Sequence, residues 1–303
     1  MARKGPAPGA RVLVIYKKSA YQIYVRERRH GLIERLIAKR DPTVTPLLRA
    51  HEDHMRALEQ ARVALAELGA RASFRHRSKP GHAQAFDLVV TLGGDGTLLW
   101  ASHHVGATVP VVAINTAPKD SVGYFCAGTK PELHDVLADA LAGKLPALSL
   151  SRMRVDVDGK LVTKRVLNDV LFCHNSPAST SRYSIRLGRR EEEQKSSGVW
   201  VGPAAGSTAG QHSAGGKILP LRSKLLQFVA REPYVMRRSA YQLTRGLVRP
   251  GHSLILQSHM RAGRLYVDGP HAAHVIHMAS KIELQLSDEP LTLLGFRTAD
   301  RFA

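Results

Sequence analysis

The sequence predicts two kinds of fold in one chain: an α/β domain on a parallel sheet over residues 1–147, then a mostly β domain over 148–290. Three observations predict it. Up to about residue 145, short apolar runs alternate with helix-like stretches, the pattern of a parallel sheet covered on both faces. From about residue 148, short strand-like runs separated by turn residues take over. The chain has 303 residues, 44% hydrophobic and 23% charged, enough for one large domain or two medium ones. A chain of this size buries roughly 75% of its unfolded surface, so it needs no disulfide or metal staple.

Taken in order, residues 11–16 form a short buried strand. Residues 47–68 carry Leu58, Val63, Leu65 and Leu68 among charges and end at Gly69, a helix stop. Residues 71–76 and 86–92 read as the next strands, 97–104 as a helix and 109–114 as another buried strand. Residues 131–142 read as a helix with Pro131 at its start and Gly143 after its end. The boundary falls near residues 144–150. Beyond it, residues 152–157 alternate, and Asp158-Gly159 is a hairpin signal. Strands follow at 183–187, 198–201, 225–230, 254–257, 265–267 and 282–286, and residues 291–296 are apolar enough for one more. Glu191–Glu193 beside Arg189 and Arg190 reads as a solvated hairpin tip, and Asp268-Gly269 as a turn.

Composition narrows the function classes. Forty-four Lys and Arg against 25 Asp and Glu give a net charge of +19, which attracts polyanions. The basic residues are dispersed and no nucleic-acid recognition motif accompanies them, so nucleic acid is not the expected partner. Two cysteines, Cys126 and Cys173, make no disulfide framework and fit a reducing compartment. The apolar run at 12–16 is too short for a signal peptide, and no stretch approaches a membrane span. A cytoplasmic protein without a membrane partner is the expectation.

Four strings carry chemistry. The run Gly93-Gly94-Asp95-Gly96-Thr97 lies between a strand and a helix. Glycines let backbone approach a polyanion closely. A carboxylate there would repel phosphates if the loop only held them, so Asp95 points to a group that takes or orients a proton, or binds Mg²⁺, beside a phosphoryl group. Asn115 ends the next strand, on the same edge as Asp95 if the sheet is parallel; alone, it reads as a turn. Asn168-Asp169 sits inside the apolar run 166–172, where polar groups in a half-buried strand need partners such as a ribose diol or an adenine edge. The small-residue run Gly206-Ser207-Thr208-Ala209-Gly210, extending to Ser213, suits close approach to a ligand; alone, it reads as a flexible loop. His51 with His54, and His271, His274 and His277, have metal-like spacings but read as packed or surface histidines. No metal ligand set from the protein is predicted.

Together and in order, these strings and the late Val267-Asp268-Gly269 resemble the NAD kinase family over most of the chain. Lys17-Lys18-Ser19-Ala20-Tyr21 and Lys195-Ser196-Ser197-Gly198 resemble its mitochondrial-type branch. The resemblance implies an N-terminal α/β domain, a C-terminal β-sandwich-like domain, and residues 291–303 returning to the first domain. It implies transfer of the ATP γ-phosphoryl group to the 2′-hydroxyl of the adenosine ribose of NAD, with Mg²⁺ on the donor phosphates and a homo-oligomer, dimer or tetramer. Asp95 matches the catalytic aspartate, and Gly94, Gly96 and Thr97 its loop. Asn115, Lys195 and Ser197 belong to the matching strings. Asn168 and Asp169 match the pair on the adenosine, and Thr208, Ala209 and Ser213 the loop around the adenine. Asp169 stands where Glu is usual, Pro203-Ala204-Ala205 where hydroxyls are usual, Gly210 where an aromatic often follows Ala, and Ser197 where Asp is frequent. Two alternatives remain at this level: a lipid or other hydroxyl kinase sharing the glycine loop, and a non-catalytic NAD- or nucleic-acid-binding relative.

Overall fold

A computed structural model describes residues 9–79, 81–234 and 241–296. By its internal contacts the chain divides into two compact units, residues 1–148 with 292–303, and residues 149–291.

The first unit is built on β1 (Arg11–Tyr16), β2 (Arg71–His76), β3 (Leu88–Gly93), β4 (Val111–Asn115), β5 (Gly128–Thr129) and β6 (Ala147–Leu150). Its helices are α1 (Gly31–Ala38), α2 (Thr45–Glu67), α3 (Asp95–Ser102) and α4 (Leu133–Leu141). The pairs β1–β2, β1–β3 and β3–β4 are all parallel. Strands β1, β3 and β4 are buried along nearly their whole length, which is why they read as continuous apolar runs rather than alternating ones. Helix α2 turns Ala57, Leu58, Ala61, Ala64 and Leu65 inward, and these pack with Val12, Val14, Val90 and Ile114 of the sheet and Leu137 of α4. Gly69, at φ 68°, ends the helical stretch as the sequence suggested. Helix α1 buries no residue and was not legible in the sequence.

Two helix α2 histidines are used structurally. His54 Nε2 lies 2.7 Å from the Lys17 carbonyl, and Nδ1 lies 3.0 Å from Thr116 Oγ1. A carbonyl only accepts, so Nε2 carries the proton and the Thr116 hydroxyl donates to Nδ1. The ring thereby ties the end of β1 to the residue after Asn115. Burial holds His54 down from 6.5 to about 4, with the Lys17 carbonyl opposing. His51 Nδ1 lies 2.8 Å from Ser19 Oγ, and its ring stacks on Tyr21. Because folded His54 titrates near 4 and unfolded near 6.5, the unfolded state binds the extra proton between those values. Stability therefore falls with acid across that window. Between pH 7 and 5 the first unit should lose roughly 2 kcal/mol through this group. Urea unfolding of wild type and His54→Gln at both pH values measures it; equal pH slopes for the two proteins would refute the assignment.

The second unit has two six-stranded antiparallel sheets. In chain order the strands are β7 (Met153–Val157), β8 (Lys160–Val166), β9 (Val170–His174), β10 (Ser181–Leu187), β11 (Arg190–Ser196), β12 (Val199–Pro203), β13 (Leu226–Ala230), β14 (Arg245–Val248), β15 (Ser253–Ser258), β16 (Gly263–Val267), β17 (Ala272–Ile276) and β18 (Lys281–Leu286). One sheet runs β11-β10-β15-β18-β7-β8, the other β14-β13-β12-β9-β16-β17. Residues from both, among them Val155, Ile185 and Leu284 on one side and Phe172, Val201 and Leu265 on the other, share one core, so the sheets form a sandwich. The hairpin signals hold: Asp158 and Gly159 turn β7 into β8 with φ of 50° and 75°, and Asp268 and Gly269 turn β16 into β17 at 47° and 108°. Glu191–Glu193 is not a hairpin tip. It lies within β11, where the Glu192 carboxylate accepts the Gln242 and Leu243 amides at 3.0 and 2.7 Å. Fully buried Arg152 donates to the Glu289 carbonyl at 2.5 Å, fixing the segment that leads to β19 (Leu291–Leu294). Strand β19 then pairs parallel with β4, completing the first unit's sheet in the order β2-β1-β3-β4-β19-β6, with β5 beside β4.

Candidate active site

In the first unit the register sets Gly93, the last residue of β3, opposite Asn115, the last of β4. The carboxyl edge of a parallel sheet is where α/β folds bind ligands. Helix α3 begins at Asp95, two residues before the sequence placed it, because Gly94 stays extended and Asp95 opens the first turn. Both Asp95 oxygens are engaged: Oδ2 accepts the Tyr124 amide at 2.7 Å and Oδ1 the Phe125 amide at 2.9 Å. Each oxygen keeps a further lone pair. The carboxylate is thus held in one rotamer and can still take a proton.

Asn115 organises the same loop from the other side. Its Nδ2 donates to the Ser121 carbonyl at 2.9 Å and its Oδ1 accepts the Ala117 amide at 3.1 Å. Gly123 passes so close that a Cβ would sit 2.4 Å from Asn115 Nδ2. A cleft of about 410 Å³, lined by Asn115, Gly123, Tyr124 and Thr129, opens alongside. Lys17, after β1, is held below its usual value by burial and by Arg77, with Asp120 opposing.

The three glycines serve different ends. Gly93, at φ 157°, has Thr97 Oγ1 only 2.2 Å from where its Cβ would be. A Cβ on Gly94 meets the tip of Ser121 at 2.0 Å. Gly96 is exposed with nothing of the protein within 4 Å, so its missing side chain does nothing for packing. The Thr97 hydroxyl is buried without a hydrogen-bond partner among the described residues. Gly96→Ala should therefore leave the melting temperature within about 2 °C of wild type, or raise it, since Ala favours helix by up to about 1 kcal/mol. If phosphates pass over this loop, KM for nucleotide rises several-fold. Kinetics together with a melting curve decide; an unchanged KM would remove Gly96 from the site.

In the second unit Asn168 and Asp169 are not in a strand. Strand β8 ends at Val166 and β9 begins at Val170, and the polar pair occupies the bend between them. The bend is gripped from two sides. Asp268 accepts the amides of Leu167, Asn168 and Asp169 at 2.9, 2.7 and 3.1 Å. The Asn168 carbonyl faces two glycines: a Cβ would stand 2.2 Å from it at Gly202 and 1.7 Å at Gly206. It also accepts from Gln211 Nε2 at 3.3 Å. Asn168 Oδ1 is buried without a partner among the described residues, an acceptor that a ligand N–H or O–H would complete. Asp169 is 7% exposed, and burial, reinforced by the charge of Asp268, pushes its carboxyl up to about 7.

The small-residue run is not a flexible loop. Residues Ala204–Thr208 make a 3₁₀ turn with 204–207 buried, and α5 (Gly210–Ser213) follows. Ser207 Oγ donates to the Ala204 carbonyl at 2.7 Å and accepts the Leu219 amide at 2.9 Å. Smallness here serves close packing. Thr208 and Ala209 are half-buried at the end of this turn, and Ser213 is exposed. At Gly210 a Cβ would come 3.0 Å from the Trp200 ring, so the space is filled by an indole from β12. Lys195 and Ser197 lie elsewhere, before β12; Ser197 is five residues from Gly202, roughly 16 Å along an extended chain. Ser197 Oγ donates to Glu232, and the Lys195 amide to the Tyr241 hydroxyl at 3.2 Å. Among the described residues no three His, Cys, Asp or Glu side chains gather as a metal site.

Two residues of this site escaped the sequence reading. Asp268 was visible as a turn signal and as part of the family-like string Val267-Asp268-Gly269, but neither shows the target of its carboxylate. Gln211, fully buried and bonded to Gln227 at 3.2 Å, gave no signal at all.

A family model described as the ATP-NAD kinase N-terminal domain matches residues 13–145. A protein of Oryza sativa named probable NADH kinase is 35% identical over 226 residues, 68% of this chain and 69% of that one. A NADH kinase of Arabidopsis thaliana is 32% identical over 68% of this chain and 71% of its own. An NAD kinase of Methanospirillum hungatei is 28% identical over 67% of this chain and 72% of its own. Among solved structures, an NAD kinase from Archaeoglobus fulgidus in complex with ATP superimposes with a TM-score of 0.68 at 18% identity, covering 96% of this chain and 95% of that one. At that identity the likeness speaks for the fold.

Proposed function

This chain belongs to the NAD kinase family, and from that premise we propose that it transfers the γ-phosphoryl group of ATP to the 2′-hydroxyl of the adenosine ribose of NAD, giving NADP and ADP. The observation that carries the reading is the Asp95 carboxylate, held by the Tyr124 and Phe125 amides in a glycine loop at the carboxyl edge of a parallel sheet. In the reaction the 2′-oxygen bonds to the γ-phosphorus, the bond to the bridging oxygen breaks, ADP leaves, and the hydroxyl proton passes to Asp95. Gly94, Gly96 and Thr97 admit the phosphates, and Asn115 holds the loop that carries the two amides.

Asn168 and Asp169 recognise the adenosine: the unpartnered Asn168 Oδ1 suits a donor on the ligand, and the Asp169 carboxylate a ribose diol. Thr208, Ala209 and Ser213 border the adenine, while Lys195 and Ser197 serve a more distant part of the dinucleotide. Residues 1–147 thus carry the phosphoryl chemistry and 148–290 the recognition of adenosine. No set of three metal-ligating side chains gathers among the described residues, so a Mg²⁺ bound with the donor nucleotide would supply neutralisation of charge on the transferring group. Family membership supports a homo-oligomer. No helix among the described residues is long and apolar enough to cross a membrane, and Cys126 and Cys173, which form no disulfide, suit a reducing compartment such as the cytoplasm.

The names of the two plant relatives make NADH a competing acceptor, with the same ribose chemistry. Incubation with ATP, Mg²⁺ and either NAD or NADH, followed by separation of the products, tests the proposal. Phosphorylated dinucleotide is expected, and its absence with both acceptors would refute the reading.

A further inference from the structure

We propose that Asp268 is the positioning residue of the adenosine subsite, fixing the backbone of residues 167–169 so that the Asn168 and Asp169 side chains are presented before substrate arrives. Three consecutive amides converge on one carboxylate, Leu167 on Oδ2 and Asn168 and Asp169 on Oδ1, at 2.7 to 3.1 Å. A strand-to-strand bend lacks ladder partners for its amides, and an amide buried without an acceptor destabilises the fold by the full cost of its desolvation. Asp268 supplies all three acceptors at once. Its own amide returns a bond to the Asp169 carbonyl at 2.9 Å, so the two turns are bonded in both directions. On the far side Gly202, Gly206 and Gln211 close on the Asn168 carbonyl. The bend is thus gripped through its peptide groups, and both polar side chains remain available for a ligand.

The backbone of Asp268 supports a purpose beyond the turn. At φ 47° it occupies the left-handed region, which Gly and Asn adopt at least as readily as Asp. Turn chemistry alone does not ask for a carboxylate. A negative charge beside half-buried Asn168 and buried Asp169 is unfavourable for Asp169, and the amide bonds offset that cost.

The inference rests on the reading that Asn168 and Asp169 contact adenosine, and its test separates the two. Hydrogen exchange of wild type without substrate addresses the clamp alone: the amides of 167–169 should be protected as strongly as those of neighbouring β9. Asp268→Asn and Asp268→Gly keep the turn geometry and remove the carboxylate. Both should lose that protection locally, with exchange in β12 and β16 unchanged. In kinetics KM for NAD should rise at least tenfold in Asp268→Asn, while kcat and KM for ATP stay within threefold. Free exchange at 167–169 in wild type would overturn the proposal even if neither variant folds. A wild-type KM for NAD in Asp268→Asn, or an equal fall in kcat, would overturn it as well. Absence of NADP formation by wild type would instead refute the functional reading, leaving the exchange result to judge the clamp.

Discussion

Asp95→Asn should lower kcat for NADP formation by about 10²–10⁴-fold, the range a positioned general base contributes. Asn matches Asp in shape but cannot take the 2′-hydroxyl proton. It also keeps one carbonyl oxygen where wild type offers two acceptors, so its NH₂ group confronts either the Tyr124 or the Phe125 amide. That mismatch loosens the loop between Asn115 and Phe125 and should raise KM for nucleotide, by much less than kcat falls. The measurement is steady-state kinetics in both substrates, with a melting curve to confirm folding. A kcat within tenfold of wild type would show that Asp95 is a loop clip and no base. The distinction matters because the two amide bonds already give Asp95 a structural reason to be there.

Asp169→Asn should separate stability from function. The Asp169 carboxyl is raised from 3.8 to about 7 in the folded state, by burial and by Asp268. A raised acid favours folding in its protonated form: the contribution is full below the unfolded value and is lost as pH rises through about 7. At pH 8 wild type therefore holds a buried charge beside another, whereas the amide that replaces it in the variant stays neutral. The variant should be the more stable protein at pH 8 by several degrees of melting temperature, with the advantage shrinking towards pH 5. Substrate recognition should move the opposite way, since a ribose diol donates best to an ionised carboxylate. KM for NAD should rise tenfold or more, and the fall in wild-type KM through neutral pH should disappear. A stability difference independent of pH would refute the environment inferred for Asp169, and an unchanged KM its contact with substrate.

What the sequence failed to reveal in the second unit follows a rule. Four strands were not legible there: β8, β11, β14 and β17. These are the four edge strands of the two sheets. An edge strand pairs on one side only, and these show most residues exposed or half-exposed, as in β17, where only Ile276 is buried. The apolar alternation that marks a strand comes from burial of one face, so it is weakest at the edges. The same reasoning covers α1, which buries nothing. It also covers Asn168-Asp169: their apolar neighbours belong to the ends of two strands, and periodicity cannot show a chain reversing between them.

The sequence by itself determined the class of both units, the glycine loop at a strand end, and the order of strings that resembles NAD kinases. Each is local: the hydrophobic pattern, turn residues and short motifs act within a few residues of one another. Only the tertiary structure decided what the polar groups hold. Asp95 reaches amides 29 and 30 residues away, and Asp268 reaches amides 99 to 101 residues away. Gly202 and Gly206 are required by the Asn168 carbonyl in the bend between β8 and β9, whereas Gly96 is required by nothing in the protein. Hydrogen bonds and close contacts between distant segments leave no periodic trace in the chain, because each needs only one residue of the right kind at each end.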